Sequence, residues 1–378
     1  MRIGVITFHA SHNYGSMLQA WALQTYLEKQ GHKVDIVNYR SKIQRSIYHK
    51  PISISRGDVA LASVKRLLFY PQSIQPLYKK WHLFEDFLAD ELKTSDEFRS
   101  TEQLSALNNR YDLLICGSDQ LWNTNAPDNG VAYFGNWYTG RKISFAASLG
   151  PEPEKCNRVF LHQQIYGFEA VSLREQRSLD FLLQNGIIQN GCVVCDPTLL
   201  LDAQDYDSIV ADEPLIKGDY VFFYTPVGLH HAYFDIGSGI GREMDCKVVT
   251  DKAYYPKDIK KYGNIESYIP TGPKEFLNLI RHAKCVCGGS FHLQVFSVLF
   301  HKNFYCINGD KDSRTNNLLS VLGLKDRIIS LESPHSKAPL EITDYDCVYE
   351  RLNNYRQTSI AFLQETTQEG KGQWASDK

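Results

Sequence analysis

Residues 2–39 read RIGVITFHASHNYGSMLQAWALQTYLEKQGHKVDIVNY, and this stretch decides the fold class. Arg2–Phe8 is an apolar, β-branched run that predicts a buried strand. A polar loop, His9 to Gly15, follows. Met17, Leu18, Trp21, Ala22, Leu23, Tyr26 and Leu27 then recur at helical spacing. Gly31 stops the helix, and Lys33–Tyr39 is a second strand. Strand, helix and strand in that order imply a parallel sheet, because antiparallel neighbours would need only a tight turn.

The alternation continues outward. Tyr111–Cys116 predicts a strand, with the loop Gly117-Ser-Asp-Gln-Leu-Trp-Asn123 at its end. Lys142–Ala147 and Ala170–Leu173 predict two more; the second runs into Arg174 and Glu175. Val193–Cys195 leads to Asp196-Pro197, and a helix is expected over Glu152–Gly167. Residues 41–80 read as an irregular insertion with one short helix near Leu61–Phe69, before a helix over Trp81–Leu92. A second unit begins near Asp219, with strands at Tyr220–Tyr224, Lys247–Thr250 and Lys284–Cys287. Pro273–Ala283 is its clearest helix, with proline where helix entry favours it. Asp344–Gln364 predicts a long terminal helix, and the polar tail after Gly370 predicts disorder. The expected architecture is α/β: two Rossmann-like, doubly wound parallel-sheet domains facing across a cleft. Their expected bounds are 1–205 and 206–342, with a terminal helix and tail over 343–378.

Composition narrows the function. The net charge of −2 gives no global field toward nucleic acid or an acidic membrane. Nine cysteines, odd in number and set mostly in strand-like runs, predict reduced thiols in a cytoplasmic protein. Cys192 and Cys195 have CxxC spacing but no second pair, so no zinc or other metal is expected. The N-terminus reads as a strand and not as a signal peptide. No apolar run approaches the ~18 residues of a membrane span. Gly237-Ser-Gly-Ile-Gly241 follows no clear strand, which weakens a dinucleotide reading. His9 with His12, and His230 with His231, lack carboxylate companions and read as solvated loop residues.

Four places combine reactive side chains with the end of a strand. Gly288-Gly-Ser-Phe-His292 puts a histidine in the first turn of a helix, just after a buried strand. Imidazole donates and accepts protons near neutral pH, and backbone N–H groups at a helix start attract anions. Arg174 with Glu175 is either a guanidinium clamp for an anion or an internal ion pair, with Asp196 as a partner. Asn13-Tyr-Gly-Ser16 offers Asn13 and Tyr14 for ligand contact, with Ser16 reading better as a helix cap. In the Gly117–Asn123 loop, Asp119 and Asn123 suit sugar hydroxyls, whereas Trp122 suits the core.

The blocks NYGSMLQAWALQTYLEKQGHKVDIVNY, YDLLICGSDQLWN, ISFAASLG, SLRE, CDPTLLL and GSFHLQVFSVLFHKNF occur in this order. In that order and content the chain resembles the polysaccharide pyruvyl transferase family over roughly residues 3–330. The resemblance implies a fold similar to GT-B glycosyltransferases. It also implies transfer of pyruvate from phosphoenolpyruvate to a sugar of a bacterial surface polysaccharide precursor, with no further cofactor. The family histidine falls on His292, and an arginine linked to donor binding falls on Arg174. Two departures stand out: Ser290 occupies the place of an arginine in some members, and Gly289 with Leu293-Gln294 replaces an Asp and a Gly-Thr in others.

On this resemblance His292, Glu175 and Asp119 are the expected catalytic residues. Arg174, Ser290, Phe291 and Gly289 would bind the donor, and Asn13, Tyr14, Gly15, Ser16 and Asn123 the acceptor. The expected partners are phosphoenolpyruvate and a saccharide, free or lipid-linked, which in the second case would bring the enzyme to the inner face of the membrane; nucleic acid is not one. A nucleotide-sugar glycosyltransferase on the same fold is the main rival. Retaining enzymes of that kind often carry two glutamates seven residues apart in the second half, and no such pair follows Asp219. A non-catalytic binding protein is the other.

Overall fold

The computed structural model describes residues 1–54, 57–226, 231–252, 261–333, 341–342 and 344–368. The tail after Gly370 and His230 lie outside the described residues. The chain divides into two compact units: Met1–Tyr48 with Leu88–Leu201 and the chain from Leu352 on, and His49–Phe87 with Asp202–Arg351.

The first unit holds a six-stranded parallel sheet. Its strands are β1 (Arg2–Ile6), β2 (Lys33–Ile36), β3 (Leu113–Cys116), β4 (Arg141–Ala147), β5 (Ala170–Leu173) and β6 (Cys192–Val193), in the order β2-β1-β3-β4-β5-β6. The second unit holds another: β7 (Tyr220–Tyr224), β8 (Lys247–Thr250), β9 (Ile265–Ser267), β10 (Cys285–Gly288), β11 (Phe304–Ile307) and β12 (Ile328–Ile329), in the order β12-β11-β10-β7-β8-β9. Every residue of β3 and β7 is buried, as strands covered on both faces require. In each sheet the winding reverses beside the first strand, at β1–β3 and at β7–β10. Crevices outside the strand ends at such reversals are where open α/β sheets bind ligands.

The helix Tyr14–Lys29 follows β1 and has thirteen of its sixteen residues buried, so it is covered on nearly all sides. Asn13 caps it, with its side chain accepting from the Ser16 amide, rather than Ser16 as expected. The helix His231–Glu243 absorbs the glycine-rich run: a Cβ at Gly237 would lie 2.7 Å from the Phe223 ring, so the glycine serves helix–sheet approach and not phosphate binding.

Three features differ from the sequence reading. Residues 41–80 are largely helical, with Lys42–Ile47 and Gly57–Phe69, and a third helix, Ile74–Glu91, takes in the expected Trp81–Leu92 segment. Glu152–Gly167 is a short turn at Pro153–Lys155 and a separate helix, Arg158–Gln164, started by Asn157, whose side chain accepts from the Phe160 amide. The strands β9, β11 and β12 were not anticipated; β9 and β12 span only three and two residues, too few for a period to show.

The terminal helix Tyr345–Thr366 belongs with the first unit from Leu352 on, because its side chains satisfy that unit's backbone. Ser359 accepts from the Cys195 amide at 2.8 Å, and Arg356 donates to the carbonyls of Leu199 and Leu201. Residues 49–87 belong with the second: Lys80 pairs with Asp251 at 2.7 Å, and Gly272 packs so closely on Leu83 that a Cβ would meet it at 2.6 Å.

Candidate functional site

In the first unit β3 ends at Gly117, with φ +154°. A Cβ there would lie 1.9 Å from the carbonyl oxygen of Phe145 on β4, so only glycine lets the chain leave the sheet this way. Two residues on, Asp119 adopts left-handed backbone, φ +68°. Its carboxylate accepts from Ser16 Oγ at 2.5 Å and from the Gln120 amide at 2.9 Å. Arg174, at the end of β5, reaches the same carboxylate at 3.7 Å. Its other edges are held by Asp196 at 2.6 Å and Glu175 at 3.0 Å. Thr198 donates to Asp196 from its amide and its hydroxyl, and Ser178 donates to Glu175. Side chains following β1, β3, β5 and β6 are thereby joined in one network.

Burial works against charge on Arg174, but Glu175, Asp196 and Asp119 outweigh it and push its pKa above the ordinary value. The guanidinium is 2% exposed, Glu175 3% and Asp196 0%, whereas Asp119 is 13% exposed. This departs from the expected anion clamp. The internal ion pair weighed against it is present, and a ligand at Arg174 would have to displace a carboxylate. Glu175 likewise turns inward onto Arg174. Asp119 is the end of the network that reaches solvent.

The other expected contacts separate in a similar way. Tyr14 is 3% exposed, and Gly15 and Ser16 are buried beside it, so the Tyr14 ring is packed where a ligand contact was expected. Asn13 is exposed. Asn123 is half-buried and holds its own loop, donating to Gln120 at 2.9 Å and accepting from the Asn125 amide at 3.0 Å. Trp122 is fully buried, stacked on Phe134.

Several groups near Asp119 escaped the sequence reading. Gln19 is buried and donates to Thr7 Oγ1 and to the Ser16 carbonyl, both at 2.8 Å, while Thr7 donates to the Ser118 carbonyl; together they tie the loops after β1 and β3. Asp128 lies 3.5 Å from the Tyr48 hydroxyl. Burial raises the Asp128 carboxyl pKa, and the Asp119 charge raises it further. Burial pushes Tyr48 up to about 12, and His12 packs on its ring at 5.8 Å. His9 is buried, not solvated; it bonds Asn38 at 3.0 Å and the Thr7 carbonyl, and burial lowers its pKa. A lone aspartate in a loop and a tyrosine 80 positions away carry no local signal that they meet.

In the second unit β10 ends in the same fashion. Gly288 has φ +155°, and a Cβ would lie 1.8 Å from the carbonyl oxygen of Tyr224 on β7. A Cβ on Gly289 would meet the Tyr233 ring at 2.8 Å. Ser290 is the N-cap of helix Phe291–Leu299, and its side chain makes no capping bond. Gln294 reaches back to the Gly288 carbonyl at 3.0 Å. Gly289, Ser290, Phe291 and His292 are thus brought together at the β7–β10 reversal. His292 is 8% exposed and meets the Phe291 ring edge-on at 5.1 Å. The Arg314 guanidinium lies over the Phe291 ring, 5.8 Å from its centre. Arg314 grips Asp312 through two bonds of 3.0 and 2.7 Å, and this pairing overcomes burial to hold the Asp312 carboxyl below its ordinary range. The helix start offers N–H groups to an anion and the imidazole offers proton transfer.

Among the described residues no group of three or more His, Cys, Asp or Glu is placed to hold a metal, and no helix is long and apolar enough to cross a membrane. Every cysteine is free; eight are buried. Burial pushes the Cys192 and Cys195 thiols up to about 12, which disfavours metal-binding thiolates.

Solved structures similar over nearly the whole chain include two with TM-scores of 0.50 or more. HepE from Anabaena, in complex with UDP and glucose, matches with a TM-score of 0.52 at 10% identity, covering 96% of this chain and 95% of its own. UDP-GlcNAc 2-epimerase from Neisseria meningitidis, bound to UDP-GlcNAc, matches with a TM-score of 0.50 at 11% identity, covering 98% and 95%. At these identities the likeness shows the fold alone: two Rossmann-like domains of GT-B type. No curated protein matches the sequence. The family model for polysaccharide pyruvyl transferase matches residues 13–311, which takes in the Asn13 cap, the Asp119 loop, the Arg174 network and the His292 helix, and the chain belongs to that family.

Proposed function

We propose that the protein transfers pyruvate from phosphoenolpyruvate to a saccharide, forming a cyclic ketal across two hydroxyls and releasing phosphate. The observation that carries this reading is the placement of His292 in the first turn of a helix that leaves β10 through Gly288, at the reversal of the second sheet.

Phosphoenolpyruvate is an enol phosphate. A proton added to its methylene carbon leaves positive charge on the central carbon. A sugar hydroxyl attacks that carbon and gives up its proton. The carbon–oxygen bond to phosphate then breaks, a second hydroxyl closes the ring, and its proton leaves with the phosphate. His292 delivers the proton to the methylene carbon. The N–H groups at the Ser290–His292 helix start hold an anionic end of the donor. In the first unit Asp119 orients acceptor hydroxyls, together with the exposed Asn13, which is linked to it through Ser16. Arg174 and Glu175 act as positioning residues: they fix the Asp119 carboxylate without touching substrate.

The test is phosphate release from phosphoenolpyruvate with a panel of free and lipid-linked glycosides. Release that depends on acceptor, lost in His292→Ala, supports the reading. Turnover of a UDP-sugar with phosphoenolpyruvate inert would replace it with glycosyl transfer. If His292→Ala changed no measurable behaviour, a binding role would take its place.

A further inference from the structure

The helix Gly57–Phe69 in the second unit carries its apolar side chains outward. Leu61 is 57% exposed, Val64 50%, Leu68 70% and Phe69 67%. Ile54, just before the helix, is 90% exposed. The helix is tied down by polar groups instead. Ser63, its one buried residue, accepts from the Ser53 amide and donates to the Ser53 carbonyl, both at 3.0 Å. Arg66 donates to the Pro51 carbonyl. Leu61, Val64 and Leu68 stand at i, i+3 and i+7, on one outer face. A surface helix ordinarily turns such a stripe to the core. A contiguous apolar patch left outside marks an interaction surface.

Charge identifies the occupant. Residues 49–80 contain six lysines and arginines and one acid, Asp58, a local charge of +5 in sequence, of which Lys80 is offset by Asp251. The whole chain carries −2, so the remainder carries −7. Lys50, Lys65 and Lys79 are exposed, and Lys65 lies beside Leu61 and Leu68 on the helix surface. Thirteen residues are too few to cross a bilayer, which takes about 20. An outward apolar stripe with Lys65 beside it, on a basic segment, is the pattern of a helix that lies in a lipid interface, with its apolar side chains at the acyl boundary and its basic groups against phosphates.

We infer that helix Gly57–Phe69 docks the protein on an anionic lipid surface. This goes beyond the proposed reaction and requires nothing of it: the contact is made by the chain itself and not by a lipid-linked acceptor.

The full-length protein is sedimented with phosphatidylcholine–phosphatidylglycerol vesicles and with pure phosphatidylcholine vesicles, no saccharide being present. It pellets with the first, much less with the second, and less as salt is raised. Leu68→Asp with Phe69→Asp lowers vesicle affinity at least about tenfold, and Lys65→Glu lowers it about tenfold. Both variants melt at the wild-type temperature, because these side chains already face water. Wild-type protein that stays in the supernatant with anionic vesicles, equal pelleting with neutral ones, or unchanged pelleting of the double variant overturns the inference. So does a concentration-dependent dimer that the double variant abolishes, since a second copy would then be the occupant.

Discussion

Gly117 and Gly288 solve the same local problem in the two units and deliver the chain into opposite surroundings. Each ends a central strand with φ near +155°, and each would drive a Cβ to within 2 Å of a neighbouring carbonyl. After Gly117 comes a polar network in which one arginine is shared by three carboxylates. After Gly288 comes a helix with all nine residues buried, carrying one histidine packed on the Phe291 ring. The first arrangement fixes a carboxylate by surrounding it with charge; the second leaves a single titratable group on an apolar support. The two therefore fail differently. A change in the first should cost fold stability as well as activity, and a change in the second should cost activity alone.

The sharpest way to break that contrast is His292→Ala. It should lower kcat about 10²–10⁴-fold, the usual worth of a positioned proton-transfer group, with the denaturation midpoint nearly unchanged. A large stability loss with modest kinetics would assign the ring to the core. Arg174→Met should lose stability along with activity, costing about 3–5 kcal/mol in urea unfolding, because Glu175 and Asp196 would be left as uncompensated buried charges. A loss under ~1 kcal/mol would show that the network does not hold that unit together. Asp119→Asn should lower kcat/KM by roughly 10–100-fold, in line with losing a charge-assisted bond of about 1.5–3 kcal/mol. The loss should appear with acceptor varied, and binding of phosphoenolpyruvate should be unaffected. An equal loss of donor affinity would move Asp119 to the donor side.

The smallest expected effect concerns His9. Its folded pKa is depressed by burial, so it contributes stability that is present above the ordinary histidine value and is lost as pH falls through the folded one. The melting temperature should drop below pH ~6.5, by roughly 2–4 °C for each kcal/mol of linkage. His9→Gln, which keeps a partner for Asn38, should flatten that limb. An identical pH dependence in the variant would assign the effect elsewhere.

Much of the fold was legible in residue order. The run from Arg2 to Tyr39 announced a strand, a helix and a strand, and the structure has them at Arg2–Ile6, Tyr14–Lys29 and Lys33–Ile36. Periodicity works there because the elements are long or uniformly apolar. It fails at β12, where two isoleucines pair with β11 only because Cys306 and Ile307 lie alongside. Of the candidate site, His292 and Gly289 through Phe291 were legible as a group, since they are neighbours in sequence and share one strand end. The Arg174 network was legible only as an alternative, because Asp119, Arg174 and Asp196 stand far apart in the chain.

What the sequence determined by itself is local: which segments bury apolar faces, where glycine releases a strand, and which polar side chains follow it. Tertiary structure alone decided which of those side chains face water. Arg174 and Asp119 are both charged and both sit at strand ends, yet one is sealed and the other reaches solvent. Burial of a charge depends on whether opposite charges from distant strands converge on it, and that convergence is a property of the sheet order, which no short window of sequence contains.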